Sequence, residues 1–218
     1  VMEWIVVVPV KGSDLSKTRL ADLPASVLER RRLALAFALD TVEALRASSQ
    51  VAEILVVTGD TESAAALSSL GARILADPGE GLNAAITVGI TEARCRHPEA
   101  PVAAITADLP SLTTADLDDA LHAAAGHTAA FVADLQGVGT TTITAQPGVP
   151  LVPRFGQGSA AAHRAAGLVP LALPSFSTIR RDVDTPADVV DAVSTFGRYT
   201  QQVLAADAAD PRSFPDRR

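Results

Sequence analysis

The sequence predicts a three-layer α/β domain built on an open, mainly parallel sheet. Three observations carry this. Short runs of apolar residues recur along the chain, separated by longer stretches with helical spacing. The first run, Ile5 to Val8, is apolar at every position, as a central parallel strand buried on both faces must be. The alternation of strand and helix is broken once, late in the chain, so the sheet is expected to be mixed. With 218 residues and 48% hydrophobic content the chain can bury one full core. One domain is expected over residues 1–218, with a core of about 4–197 and a tail of 198–218.

The elements follow in order. Pro9 ends the first strand, and a loop leads to a helix from about Ala25 to Ala47, where Leu28, Leu35, Leu39 and Val42 recur at helical spacing. Arg30, Arg31 and Arg32 in it read as a solvated face. Glu53 to Thr58 is the second strand. Gly59-Asp60 turns into a helix from Thr61 to Leu70, which Gly71 stops. Ala72 to Ala76 is a third strand, and Leu82 begins a helix ending near His97-Pro98. Val102 to Thr106 is the fourth strand, followed by a helix from Thr114 to Ala125.

Thr128 to Ala133 and Thr140 to Ala145 are consecutive strands, which predicts a hairpin or an insertion into a mixed sheet. Residues 153–159 open a helix running to about Ala166. Val169 to Leu173 is the last strand. A helix from Pro186 to Phe196, a short final helix and a loose tail complete the chain.

Composition excludes several functions. The net charge of −7 argues against a nucleic-acid surface. No apolar run is long enough to span a bilayer, and no signal peptide precedes the first strand. Cys95 is the only cysteine, so no disulfide forms within the chain, which fits a reducing cytoplasm. Val1 ahead of Met2 reads as a remnant before the natural start. A homodimer is compatible with the sequence.

Within this acidic chain, the only two lysines, Lys11 and Lys17, share one loop with Arg19. Lysine is a compact point charge and is not equivalent to arginine at a phosphate. The loop lacks both the G-x-G-x-x-G fingerprint and the Walker A pattern. It offers three cations plus the backbone amides of Gly12 and Ser13, enough to neutralise a triphosphate. A solvated basic turn is the bland alternative.

Asp108 stands at the carboxyl end of a buried strand, where open α/β sheets bind ligands. Thr113 and Thr114 are available to cap the next helix, which frees Asp108 for a hard cation. Asp182 and Asp184 flank Val183 in a stretch with strand character, so both face one side. Such a pair suits Mg²⁺, which takes one or two carboxylates plus phosphate oxygens. Thr185-Pro186 reads as an N-cap followed by Pro at the first helical position.

Gly81-Leu82-Asn83 opens a helix, and Asn83 is suited either to a nucleobase edge or to capping. Gly156, Gly158 and Ser159 form a candidate anion site, with Thr140 as a second hydroxyl. No histidine has a catalytic or metal-ligand spacing; His163, on the helix after Ser159, is the only one near the proposed site and reads as structural.

The segments V-P-V-K-G-S-D-L-S-K-T-R-L, D-P-G-E-G-L-N-A-A-I, T-A-D-L-P-S-L, F-V-A-D with G-V-G-T, P-R-F-G-Q-G-S-A-A-A-H and D-V-D-T-P-A-D occur in order from Val6 to Val190. Together they resemble the 2-phospho-L-lactate and phosphoenolpyruvate guanylyltransferases of deazaflavin coenzyme F-420 biosynthesis. D-x-D-T-P and A-D-L-P are shared with wider relatives; P-R-F-G-x-x-S-x-x-x-H discriminates. The resemblance implies a glycosyltransferase-A-like nucleotidyltransferase fold. It implies Mg²⁺ on Asp108, Asp182 and Asp184, and a phosphorylated three-carbon acid on Thr140, Gly156 and Ser159, with Thr141 able to replace Thr140. Lys11, Lys17 and Arg19 are the expected catalytic cations facing GTP. Gly12, Gly81, Leu82 and Asn83 join these cations in the expected nucleotide site.

The alanine- and arginine-rich composition points to a GC-rich genome, where the resemblance leans towards phosphoenolpyruvate. Two other readings stand beside this one: a nucleotidyltransferase acting on a sugar or isoprenoid phosphate, and a nucleotide-binding regulatory module without catalysis.

Overall fold

A computed structural model describes residues 3–11 and 27–209. Its framework is a seven-stranded sheet. β1 (Trp4–Pro9) pairs in parallel with β2 (Val51–Thr58) on one side and β4 (Val102–Ile105) on the other. β3 (Arg73–Ala76) extends the sheet beyond β2. β6 (Thr140–Ala145) lies antiparallel between β4 and β5 (Ala129–Ala133), and the two-residue β7 (Val169–Pro170) adds in parallel to β5. The order is β3-β2-β1-β4-β6-β5-β7.

The break in β-α alternation is therefore an antiparallel β5–β6 unit, and β6 rather than β5 joins β4. The last strand is shorter than Val169 to Leu173: after Leu171 donates its N–H to the Phe131 carbonyl, the ladder stops.

Alternation along β1 builds both cores at once. Trp4, Val6 and Val8 enter one apolar cluster, and Ile5 and Val7 the other. On the first face lie α1 (Val27–Ala47), α2 (Thr61–Ser69) and α4 (Thr114–Ala125), contributing Val42, Leu67 and Leu117. On the second lie α3 (Leu82–Arg96) and α5 (Ser159–Ala165), contributing Ile86, Ile90 and Ala160. α3 approaches β1 closely at Gly89, where a methyl group would overlap the buried Val7 side chain.

The last described helices are tied back to α1. α6 (Pro186–Ala192) and a 3-10 turn (Val193–Thr195) replace the single helix expected to Phe196. Val183, Val189 and Phe196 pack with Leu33 and Phe37 of α1 in a third cluster. α7 (Arg198–Ala209) follows. Its first backbone N–H groups have no helical acceptors, and those of Tyr199 and Thr200 both donate to the Asp40 carboxylate of α1 at 2.9 Å. Burial raises the pKa of Asp40, while the bonds from Thr200 and Tyr199 oppose that shift. Among the described residues, no helix is long and apolar enough to cross a membrane.

Candidate functional site

β4 ends at the centre of the sheet, and its exit is pinned from two sides. The Thr41 hydroxyl of α1 accepts from the Leu109 N–H at 3.2 Å, and the Pro110 carbonyl accepts from Gly197 at 2.8 Å. Between these anchors, the Asp108 carbonyl accepts the N–H of Val183 at 3.0 Å. That bond brings the D-V-D stretch to the end of β4. The stretch is not a strand, as its composition suggested, but an irregular segment after a 3-10 turn at Thr178–Arg180. β4 is already paired on both sides by β1 and β6, so no sheet edge is open to receive it. Val183 is buried, and Asp182 and Asp184 both line a cavity beside Asp108.

This cavity measures about 650 Å³. Asp108, Asp134, Asp182, Asp184 and Asp188 line it, together with Leu82, Thr140, Phe155, Gly156, Gly158 and Ser159. Asp182 is held protonated to an unusual degree: burial, then the charges of Asp108, Asp184 and Asp134, push its pKa up from 3.8 to about 7. Such crowding of carboxylates is relieved by a cation. Among the described residues, no three acidic, histidine or cysteine side chains already stand as a ready-made metal cage. A site that takes one or two carboxylates and completes its shell with phosphate oxygens and water fits this arrangement, and that is the habit of Mg²⁺.

Two of the acidic residues brace the site. Asp134 accepts the N–H groups of Val138 and Gly139 at 2.9 and 2.8 Å, closing the β5–β6 turn. Arg180 holds the same turn through the Ala133 and Asp134 carbonyls. Asp188 accepts from the N–H of Asp184 and of Thr185, completing the Thr185 capping box that starts α6.

Thr140 and the 154–155 backbone are set by His163, fully buried on α5 between Phe131 and Phe155. Its Nδ1 lies 2.9 Å from the Thr140 hydroxyl, and its Nε2 accepts the Arg154 N–H at 3.0 Å. Burial first, then the Arg154 charge, lowers its pKa to about 4; a bond to the Ser159 backbone opposes this. Positive φ at Gly156 (134°) and Gly158 (70°) lets the chain turn from Phe155 into α5.

The matching model describes guanylyl transferases of the CofC-like type and spans residues 4–202. The chain belongs to the CofC-like guanylyl transferase family. A phosphoenolpyruvate guanylyltransferase of Thermomonospora curvata is 48% identical over 194 residues, covering 88% of this chain and 84% of the relative. One from Streptomyces coelicolor is 47% identical, covering 88% and 91%. Among solved structures, a nucleotidyl transferase from Methanothermobacter superposes with a TM-score of 0.60 at 17% identity, covering 94% of this chain and 99% of that one. A cytidylyltransferase from Leptospira borgpetersenii gives 0.56 at 12%, covering 96% and 95%. These last two bear on the fold, which is that of the nucleotidyltransferases.

Within this CofC-like chain, the site residues read from the sequence are distributed unevenly. Asp108, Asp182, Asp184, Thr140, Gly156, Ser159 and Leu82 share the cavity. Thr141 does not stand in for Thr140: its hydroxyl donates to the buried Ile179 carbonyl at 2.6 Å, as the alternation of β6 requires. Lys11 lines a second cavity of about 120 Å³ with Arg31, Arg32, Asp60 and Ser63. Arg31 is not merely solvated, since it pairs with Asp60 at 3.2 Å. Gly12, Lys17 and Arg19 lie outside the described residues.

Gly81 is the N-cap of α3, without a side-chain bond. Asn83 does not cap that helix: its Nδ2 donates to the Phe155 carbonyl at 3.0 Å, and its Oδ1 accepts the Phe155 N–H at 2.8 Å, which leaves one N–H and one lone pair of the amide. This bracing role stands beside the expected base-edge role. Sequence reasoning missed Asp134 and Arg180 as braces; it set His163 near the site but not against Thr140. The P-R-F-G-x-x-S-x-x-x-H spacing held the last signal, because His163 falls four residues after Ser159 on the same helix face.

Proposed function

We propose that this protein joins GMP from GTP to the phosphate of phosphoenolpyruvate, releasing pyrophosphate, as a cytoplasmic step in deazaflavin coenzyme F-420 biosynthesis. One observation carries the reading: a single 650 Å³ cavity is lined both by crowded carboxylates and by Thr140 and Ser159 with a glycine turn. The relatives named as phosphoenolpyruvate guanylyltransferases supply the substrate pair.

The acid's phosphate attacks the α-phosphorus of GTP in line with the departing pyrophosphate. A phosphomonoester's second pKa is about 6, so the nucleophile is already anionic near neutral pH and needs no general base. The difficulty is bringing two anions together. Asp108, with Asp182 and Asp184, would hold Mg²⁺, which when bound neutralises phosphate charge and orients the reacting oxygens. Thr140 and Ser159 orient the acid through their hydroxyls. Gly156 leaves room for the acid's close approach. Lys11, with Lys17 and Arg19, would neutralise the triphosphate.

The test is to offer GTP and Mg²⁺ with phosphoenolpyruvate, 2-phospholactate and 3-phosphoglycerate in turn, and to record pyrophosphate release. Turnover with phosphoenolpyruvate above the other two is expected. Release only with CTP or UTP and a sugar or isoprenoid phosphate would overturn the reading.

A further inference from the structure

We propose that His163 is a positioning residue that turns the Thr140 hydroxyl into an obligate donor aimed at the substrate acid. The inference rests on the acid subsite proposed above and assigns the polarity of one of its contacts.

The argument is a count of protons. The backbone N–H of Arg154 can only donate, and it points at Nε2 at 3.0 Å. Nε2 must therefore carry a lone pair and no proton. A neutral imidazole keeps one ring proton, which must then reside on Nδ1. Nδ1 is 2.9 Å from Thr140 Oγ1; its proton is shared between that oxygen and the Ser159 backbone, so towards Thr140 the ring donates and the hydroxyl accepts. The reverse arrangement, with Thr140 donating to Nδ1, would set an Nε2–H against the Arg154 N–H. That head-to-head pair of donors in a fully buried ring is excluded on cost.

A hydroxyl has one proton and can accept through two lone pairs. With Nδ1–H engaging the oxygen, the Thr140 proton has to point elsewhere. Thr140 lines the cavity together with Gly156 and Ser159, so an anion there is its natural acceptor. Without the histidine, the hydroxyl is free to rotate and present a lone pair to that anion. The ring is held for this task by Phe131 and Phe155, and Phe155 is fixed in turn by both atoms of the Asn83 amide.

The first measurement uses the wild-type protein with ¹⁵N-labelled histidine. A two-bond ¹H–¹⁵N correlation should show His163 with a protonated Nδ1 and a bare Nε2. A protonated Nε2 would overturn the proposal, whichever acid the enzyme uses. The second measurement is kinetic, on whichever phosphorylated acid is turned over. His163→Gln, whose amide reaches the Nε2 position, should raise the acid KM by roughly 10- to 100-fold, the range for a hydrogen bond to a charged group. The GTP KM should stay within about two-fold.

His163→Asn, whose amide N–H takes the Nδ1 position, should recover most of that loss. Thr140→Val should raise the acid KM as His163→Gln does, and the double variant should be no worse than Thr140→Val alone. Additive losses, or equal rises in both KM values, would reduce His163 to a packing residue. Should the His163 variants not fold, the tautomer alone decides. A correct tautomer with no turnover of any phosphorylated acid would sink the proposed function and leave the hydrogen-bond polarity standing.

Discussion

The N–H of Val183 donates to the carbonyl oxygen of Asp108 at 3.0 Å. Seventy-five positions apart in sequence, the two acidic segments are joined by this bond at the central edge of the sheet. It places Asp182 and Asp184 beside Asp108 without a strand ladder, and the consequences can be measured.

Asp108→Asn keeps the size of the side chain and removes its charge. Pyrophosphate release from GTP and phosphoenolpyruvate should fall by roughly 10²-fold or more, the scale of losing one electrostatic contact to a transition state. Undiminished turnover would refute its role in holding a divalent ion.

Asp182 gives a pH signature. Its carboxyl ionises only near pH 7 in the fold, against an ordinary 3.8. The folded state thus binds the proton more tightly than the unfolded chain. Ionisation works against folding, and stability contributed by this group falls as pH rises from about 4 to about 7. The ceiling on that loss is about 4 kcal/mol. In chelator, Asp182→Asn should therefore raise Tm over wild type at pH 8 by more than at pH 4. Mg²⁺ with GTP should narrow the gap. The same difference at both pH values would contradict the assignment.

Asn83 separates two roles. As a brace on Phe155, its replacement by Asp puts two acceptors face to face, costing about 1–3 kcal/mol. The acid KM should rise by roughly 5- to 100-fold while the GTP KM holds. A rise confined to the GTP KM would return Asn83 to the nucleobase.

Gly89 is where α3 meets β1, away from the cavity. Gly89→Ala should lower stability by about 1–3 kcal/mol through overpacking against Val7. Denaturant unfolding checks this. An unchanged midpoint would mean that the two layers are less tightly joined than the geometry indicates.

Much of the fold was legible because β1, β2 and β4 are apolar on both faces, a pattern that short-range composition reveals. The carboxylate at the end of β4 was legible for the same reason: the sheet's carboxyl edge is where ligands bind. The contacts that were not legible depend on distant partners. Asn83 looks like a capping or base-reading residue until Phe155, 72 positions later, takes both its amide atoms. D-V-D alternates like a strand, but β6 already occupies the edge of β4 that it would need. His163 looks like filler until β6 delivers Thr140 to it.

The central claim is that Asp108 and the D-V-D carboxylates share one divalent ion facing the acid subsite. Anomalous diffraction from crystals grown with Mn²⁺ and GTP tests it most directly. A single peak touching Asp108 and at least one of Asp182 and Asp184 is predicted. A peak held by other residues, or none within reach of Asp108, would contradict the account.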